Sequence, residues 1–207
     1  MKKKALALIV GVFTVLCLCF GIVGCADGNN GGGDQTNKPN DELTGESKVL
    51  VTYFSWSSSN NTKTMAEYIA EFTDGELFRI QPKTPYTTNY NNVLDVAQQE
   101  KRENARPELF ENITAEQIAN YDVIFVGYPV WWYDAPMIIY SFLEANDYSS
   151  KKIVTFATSG GSGISDSSLR SAVDADFTSG LCISNFSAGA SARERVENWV
   201  TQLGYHK

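Results

Sequence analysis

The stretch that decides the fold is residues 121–127, which read Tyr-Asp-Val-Ile-Phe-Val-Gly. Four large apolar residues follow one another from Val123 to Val126, which is typical of a strand buried on both faces of a parallel sheet. Shorter β-rich runs with polar or turn residues after them predict four more strands. These runs are residues 48–54, 77–80, 153–157 and 181–183.

Helical patterns lie between these strands. Apolar residues recur at helical spacing in residues 62–72, and the polar stretch 91–104 follows the two prolines Pro82 and Pro85. Further helices are predicted from Pro136, around residues 165–173, and in a last helix where Ser191 and Glu194 suggest a capping box. Alternating strands and helices predict one α/β domain, a mostly parallel sheet with helices on both faces.

The first 47 residues differ from the rest of the chain. Three lysines at residues 2–4, an apolar run to Val23 and the small Gly24 before Cys25 predict a signal peptide over residues 1–24. Residues 21–25 resemble a bacterial lipobox, which implies an exported lipoprotein acylated at Cys25. An uncleaved anchor or an ordinary secretory peptide are the alternatives. Residues 25–47 are polar and predict a flexible tether, followed by the folded domain at residues 48–207.

Composition narrows the function. The net charge of −7 would become −10 after loss of Lys2, Lys3 and Lys4, so nucleic acid is not expected as a partner. A single histidine, His206 near the end, argues against a Ser-His-Asp triad, and with Cys182 as the domain's one cysteine no clustered zinc site is expected. Cys182, in a predicted strand, is expected to be a small core residue.

Three loops follow the first, third and fourth predicted strands, where ligands bind in open parallel sheets. Residues 55–62 place hydroxyl and amide groups before a helix N-terminus, which favours a phosphate. Residues 131–133 are Trp-Trp-Tyr, three aromatics that a planar ligand would explain. Residues 158–163 are rich in glycine and permit close approach. Each loop alone also has a simpler explanation. Residues 55–62 could only cap a helix, a tryptophan of residues 131–133 could belong to the core, and residues 158–163 could be a flexible connection.

Taken in order, these motifs resemble those of flavodoxins that carry a double-tryptophan loop. The resemblance covers residues 48–204, and its segments are Tyr53 to Ser57 leading to Asn61-Thr62-Lys63, Gly127 to Trp132 leading to Ala135-Pro136-Met137, Ser159 to Gly163, and Glu100 with Arg106 to Leu109. It implies a flavodoxin-like, doubly wound, five-stranded parallel sheet of order 2-1-3-4-5 that binds FMN.

The resemblance also implies which residues hold the cofactor. Ser55, Ser57, Asn61 and Thr62 would bind the phosphate, and Trp56 and Asn60 of the same loop are also expected to contact the cofactor. The loop is longer than in relatives and lacks their glycine, which leaves open which of residues 57–60 contact the phosphate. Residues around the isoalloxazine would be Pro129, Val130, Trp131, Trp132 and Tyr133 on one side and Ser159, Gly160, Gly161, Ser162 and Gly163 on the other. Tyr133 stands where many relatives have glycine, which implies a costlier peptide rearrangement beside the ring.

The predicted function is electron transfer on FMN, outside the cytoplasm, with a redox protein or a small-molecule electron acceptor as partner. No catalytic side chain is predicted, because the flavin itself carries the redox chemistry. Two alternatives remain open at this stage: an FMN-dependent NAD(P)H:quinone-type oxidoreductase, and a flavodoxin-like binding module without cofactor.

Overall fold

The computed structural model describes residues 47–207 apart from Ser165. Five strands alternate with six helices along this part of the chain. In order, the elements are β1 (Val49–Tyr53), α1 (Asn61–Thr73), β2 (Glu76–Arg79), α2 (Tyr90–Glu103), α3 (Ala115–Ile118), β3 (Val123–Pro129), α4 (Met137–Glu144), β4 (Lys152–Ser159), α5 (Ser167–Ala172), β5 (Asp176–Ser184) and α6 (Ala190–Gln202).

The five strands form one sheet of order β2-β1-β3-β4-β5, and every neighbouring pair is parallel. The predicted topology is therefore confirmed. Val51 of β1 lies opposite Leu77 of β2 on one side and Phe125 of β3 on the other. All five residues of β1 and the first six of β3 are buried, as the unbroken apolar runs predict for central strands.

Helices cover both faces of the sheet and divide the core into two layers. On one face, Met65 and Ile69 of α1 and Val196 and Val200 of α6 pack against alternate strand residues such as Phe125. On the other face, residues of α3, α4 and α5 pack against the strand residues that point the opposite way. This alternation follows from the pleat of each strand, which sends successive side chains to opposite faces.

Gly127 is required at the point where β3 approaches the ligand-binding edge of the sheet. Its register partner is Phe156 of β4, and the phenyl ring fills the space above the glycine. A Cβ atom on residue 127 would lie 2.0 Å from the ring carbon Cζ of Phe156. Both residues lie in the interior, so neither strand has room to move apart. Gly127 thus allows the central strands to pack closely just before the aromatic loop.

Three details of the predicted fold are wrong. Strand β5 begins at Asp176 rather than at residue 181, and one extra residue between Thr178 and Leu181 interrupts the alternation that would have revealed it. Helix α3 was not predicted, because it has only four residues. Helix α6 begins after Gly189 without a side-chain cap, so Ser191 lies inside the first turn and makes no capping box.

The C-terminal residues are packed rather than loose. The His206 ring stacks on Phe72 of α1 with 5.5 Å between centroids, and the Lys207 amide donates to the Phe72 carbonyl. Cys182 is half-buried instead of fully buried, and burial raises the pKa of its thiol.

The predicted signal peptide, the acylation of Cys25 and most of the predicted tether lie outside the described residues. Within the described residues, no helix has the length and apolar character needed to cross a bilayer.

Candidate functional site

A cleft of about 900 Å³ opens at the carboxyl ends of β1, β3 and β4. This is the edge at which the parallel topology predicts a ligand, and the volume lies within the range of small-molecule sites. Its lining comes from five parts of the chain. These are Trp56, Ser57, Ser59, Asn61 and Thr62; Tyr90, Val93, Leu94 and Ala97; Pro129 to Tyr133; Thr158 to Ser162; and Asn185 with Phe186.

The structure brings most of the predicted site residues together in this cleft, and three of them lie outside its lining. Ser55 is buried below the first loop. Asn60 is the N-cap of α1 with a positive φ, and its side chain donates to the Ser58 carbonyl. Gly163 is exposed just beyond the lined part of the glycine-rich loop.

Sequence reasoning missed the wall formed by α2 and the contribution of residues after β5. Val93 and Ala97 are the two buried residues of α2 and stand four positions apart, so they share one face of a mostly polar helix. This apolar pair in a polar helix is the sequence signal that could have indicated that α2 packs against the rest of the domain beside the cleft. Asn185 and Phe186 follow a strand whose extent was underestimated, and no local pattern marks them.

The end of the cleft beside Ser57, Asn61 and Thr62 is formed by the first turn of α1. This helix has thirteen residues, no side-chain cap and no acidic residue in its first turn, so its first N–H groups are not neutralised by a carboxylate. Such groups, together with the helix dipole, favour an anion. Lys63 forms an ion pair with Glu67 one turn further on and is not part of the lining. The donors at this end are therefore neutral.

Two hydrogen bonds connect this first turn to the end of β4 and to the loop after β5. The buried hydroxyl groups of Thr62 and Thr158 lie 2.9 Å apart. The Asn61 side chain donates to the Phe186 carbonyl at 3.3 Å. As a result, the first turn of α1, the end of β4 and the loop after β5 are held in one arrangement at the base of the cleft.

The aromatic wall of the cleft is centred on Trp131. Its ring meets Phe54, Trp56 and Tyr86 edge to face, with centroid distances of 5.4, 6.1 and 5.2 Å. The Trp56 indole N–H donates in turn to the Thr87 carbonyl at 2.8 Å. Edge-to-face pairs of this kind fix ring orientation. Trp131 thus belongs both to the core and to the cleft.

Glu100 of α2 supports this wall through Tyr86. The Tyr86 hydroxyl donates to Glu100 Oε2 at 2.9 Å. Burial, followed by the charge and hydrogen bond of Glu100, raises the pKa of Tyr86 far above its usual value. Burial also raises the pKa of Glu100, and the hydrogen bond from Tyr86 only partly opposes that effect. The phenol therefore stays protonated and continues to donate.

Residues 131–134 form a tight two-residue turn. The backbone N–H groups of Trp131 and Asp134 donate to each other's carbonyl oxygens at 3.0 Å, and the central residues Trp132 and Tyr133 have φ angles of 49° and 62°. Positive φ at both central positions is typical of a type I′ turn, in which asparagine and glycine are preferred. A bulky side chain in this region costs about 1–2 kcal/mol per residue. The turn must therefore be held by its surroundings.

The glycine-rich wall has a different construction. The Ser162 carbonyl accepts hydrogen bonds from the hydroxyls of Ser159 and Ser184, which anchors the base of the loop. Beyond this anchor, a Cβ atom added to Gly160, Gly161 or Gly163 would meet no atom within 4 Å. This wall consists of exposed backbone with free space around it, as a ligand ring approaching the main chain requires.

The lining of the cleft contains no Asp, Glu, His, Cys, Lys or Arg side chain among the described residues. Likewise, the described part of the chain has no group of three or more His, Cys, Asp or Glu residues placed to hold a metal ion. The polar groups that face the cleft are hydroxyls, amides and backbone atoms. The arrangement suits binding of a planar ligand with a phosphate rather than acid–base catalysis by side chains.

Comparison with known proteins agrees with this geometry. The family model described as flavodoxin matches residues 48–203, which is nearly all of the described chain. The chain belongs to the flavodoxin family. No functionally curated protein matches this flavodoxin.

Solved structures provide close relatives of this flavodoxin. A candidate flavoprotein from Bacteroides eggerthii has 33% sequence identity and a TM-score of 0.65, with 75% of this chain and 97% of the relative covered. A candidate flavoprotein from Bacteroides uniformis has 31% identity and a TM-score of 0.64, with 75% and 98% covered. Both relatives match over almost their full length, so the flavodoxin domain accounts for nearly all of each.

A third solved structure is that of a flavoprotein from Lactobacillus acidophilus in complex with FMN. Its sequence identity is 25% and its TM-score 0.52, with 66% of this chain and 93% of the relative covered. Family membership and this neighbour support FMN as the cofactor, as the sequence predicts.

Proposed function

We propose that this flavodoxin binds FMN in the cleft described above and transfers electrons outside the cytoplasm, anchored to the membrane through a lipid on Cys25. The observation that carries the electron-transfer part is the chemical character of the cleft. Its lining has aromatic rings, neutral hydrogen-bond donors and exposed backbone, and no acid, base or thiol among the described residues. Bound FMN supplies the redox chemistry by accepting and releasing electrons.

The residues of the cleft fit the parts of FMN. The uncapped first turn of α1, with Ser57, Asn61 and Thr62, offers neutral donors for the phosphate. Trp131 and Trp132 give an aromatic surface for the isoalloxazine, and the open space beside Gly160 and Gly161 lets the main chain approach the ring from the other wall. The protein's own part is to bind, to orient the ring and to exclude water.

The first test is the visible absorption spectrum of the purified protein with and without added FMN. We expect flavin bands that stay with the protein through desalting. The apoprotein should also show quenched tryptophan fluorescence on titration with FMN, since three of its four tryptophans line the cleft. A colourless protein whose fluorescence does not respond to FMN would contradict the proposal and favour a binding module without cofactor.

A second candidate function is reduction of a small planar acceptor such as a quinone, with NAD(P)H as donor. The observation that favours it is the exposure of aromatic side chains at the mouth of the cleft: Tyr90 is 64% exposed and Tyr133 is 75% exposed. Such rings could contact a planar acceptor. Steady-state oxidation of NAD(P)H by the FMN-loaded protein, dependent on added quinone, would establish this activity, and its absence leaves the electron carrier.

The location is tested separately from the cofactor. The basic start, the apolar run and Cys25 within residues 1–25 support export and acylation. We expect metabolic labelling with a fatty acid to mark the protein and a Cys25→Ser variant to lose both the label and membrane association. Unlabelled protein that still sediments with membranes would indicate an uncleaved anchor instead.

A further inference from the structure

The turn at Trp131–Asp134 is clamped from outside by one lysine of α2. Lys101 Nζ donates to the Trp132 carbonyl oxygen at 2.8 Å and lies 3.2 Å from Asp134 Oδ2. The Asp134 carboxylate is buried at its other oxygen, where Oδ1 accepts from the Ala135 N–H at 2.9 Å and from the Tyr140 hydroxyl at 3.1 Å. Lys101 therefore joins an exposed carbonyl to an anchored carboxylate.

A second contact of α2 holds the same turn. The Trp132 indole N–H donates to the Leu94 carbonyl at 2.9 Å. Leu94 and Lys101 lie two helical turns apart, so the side chain and the carbonyl of Trp132 are held by α2 at two separated points. Together these contacts offset the unfavourable φ angles of Trp132 and Tyr133.

The clamp fixes the direction of one peptide group. In a trans peptide the carbonyl and the N–H point in opposite directions. With the Trp132 carbonyl turned to Lys101, the Tyr133 N–H points away from that lysine. Tyr133 lines the cleft, and its N–H has no acceptor among the described residues. This N–H is left as a donor available to a ligand.

We propose that Lys101 is a positioning residue: it orients the Trp132–Tyr133 peptide so that the N–H, rather than the carbonyl, faces the bound flavin ring and donates a hydrogen bond to it. This inference rests on the proposed binding of FMN. An N–H donor would match N5 of an oxidised flavin, because this ring nitrogen carries no hydrogen and can only accept a hydrogen bond. Two-electron reduction with proton uptake would place a hydrogen on N5 and make it a donor, which no longer matches an N–H. The contacts of Lys101 should therefore make the protein bind oxidised FMN more tightly than they make it bind reduced FMN.

The test compares Lys101→Met with Arg102→Met. The two changes remove the same charge from adjacent positions of α2, but Arg102 contacts only Gln98 of its own helix among the described residues. We expect Lys101→Met to bind oxidised FMN about tenfold more weakly than Arg102→Met, since a charge-assisted hydrogen bond is lost. Its two-electron midpoint potential should lie about 30 mV higher, the value for a tenfold difference confined to the oxidised form. Lys101→Arg should restore both values.

The clamp can also be measured without flavin. In the apoprotein, the Trp132 indole N–H gives one NMR signal that a Trp132→Phe variant assigns. We expect this signal to shift and exchange faster in Lys101→Met but not in Arg102→Met, while the Trp56 indole signal stays unchanged in both. If the Trp132 signal does not shift in Lys101→Met, the inference that Lys101 holds this turn in place is wrong.

The outcomes separate the inference from the proposed function. If the unaltered protein binds FMN but Lys101→Met and Arg102→Met agree in affinity and potential, the positioning role is overturned and FMN binding stands. If Lys101→Met weakens the binding of oxidised and reduced flavin equally, its potential is unchanged and the residue has only a structural role. If the unaltered protein ignores FMN, the proposed function fails and the inference fails with it.

Discussion

The two walls of the cleft are built in opposite ways. The aromatic wall consists of side chains fixed by other side chains, with Trp131 in contact with three rings and Trp132 held by α2. The glycine-rich wall is backbone anchored at its base through the Ser162 carbonyl and open beyond it. The aromatic wall is therefore part of the folded core, whereas the glycine-rich wall can change without disturbing that core.

The largest expected effect comes from removing the centre of the aromatic wall. Trp131→Ala should lower the free energy of unfolding by about 3 kcal/mol, because the substitution removes three ring contacts and leaves a cavity. Trp131→Phe should keep most of the stability. Urea denaturation measures both. If Trp131→Ala unfolds at the same urea concentration as the unaltered protein, the aromatic wall is not part of the core.

A pair of alanine substitutions tests the glycine-rich wall. Gly161 has a φ of 154°, where a side chain is strained, so Gly161→Ala should cost about 1–2 kcal/mol. Gly160 has free space and no positive φ, so Gly160→Ala should stay within about 0.5 kcal/mol of the unaltered protein. The two variants are matched in size and differ in backbone conformation alone. Equal losses in the free energy of unfolding, measured by urea denaturation, would show that packing rather than the φ angle determines the cost of a side chain in this loop.

The smallest effects depend on pH and have opposite signs beside the two walls. Near the glycine-rich wall, burial would raise the pKa of Asp166, but the hydrogen bonds from Arg170 and Thr155 together outweigh it and hold the pKa below its ordinary value. This carboxylate therefore adds stability above about pH 4, which is lost as the pH falls through its lowered pKa. Asp166→Asn should lower the free energy of unfolding by about 1 kcal/mol at pH 7, and urea denaturation should show this difference shrinking as the pH falls below about 4.

Beside the aromatic wall the sign is reversed. Burial raises the pKa of Glu100, so its contribution to stability is fully present below about pH 4 and is lost as the pH rises through the raised pKa. Glu100→Gln keeps an oxygen that can accept from Tyr86 and removes the charge. We expect this variant to be more stable than the unaltered protein at pH 7 and similar at pH 4, as measured by thermal unfolding. A loss of stability at pH 7 would mean that the charge of Glu100 strengthens the wall.

Much of the fold could be predicted because its strongest signals are local. The continuous apolar run from Val123 to Val126 marks the central strand, and the parallel topology then places the three loops at one edge. The first half of β5 was missed because it is polar and contains the extra residue before Leu181. A local pattern has no means of recording such an irregularity.

The site was harder to predict where it depends on contacts distant in sequence. The α2 wall meets the aromatic loop through Leu94 and Lys101, more than thirty positions before Trp132. The positive φ angles of Trp132 and Tyr133 run against the preference of bulky residues, so only the surrounding contacts explain them. The sequence marks Tyr133 as unusual, but it does not show the lysine that compensates for it.

Because the lining of the cleft is neutral, the affinity for FMN should depend on salt concentration in an unusual direction. FMN carries a doubly charged phosphate near neutral pH, whereas the chain without residues 1–24 would carry a net charge of −10. With no cation in the described lining, the phosphate gains no ion pair that salt could weaken, and the acidic domain repels it at long range. Added salt screens that repulsion and should tighten FMN binding, the reverse of what a phosphate held by arginine or lysine would show.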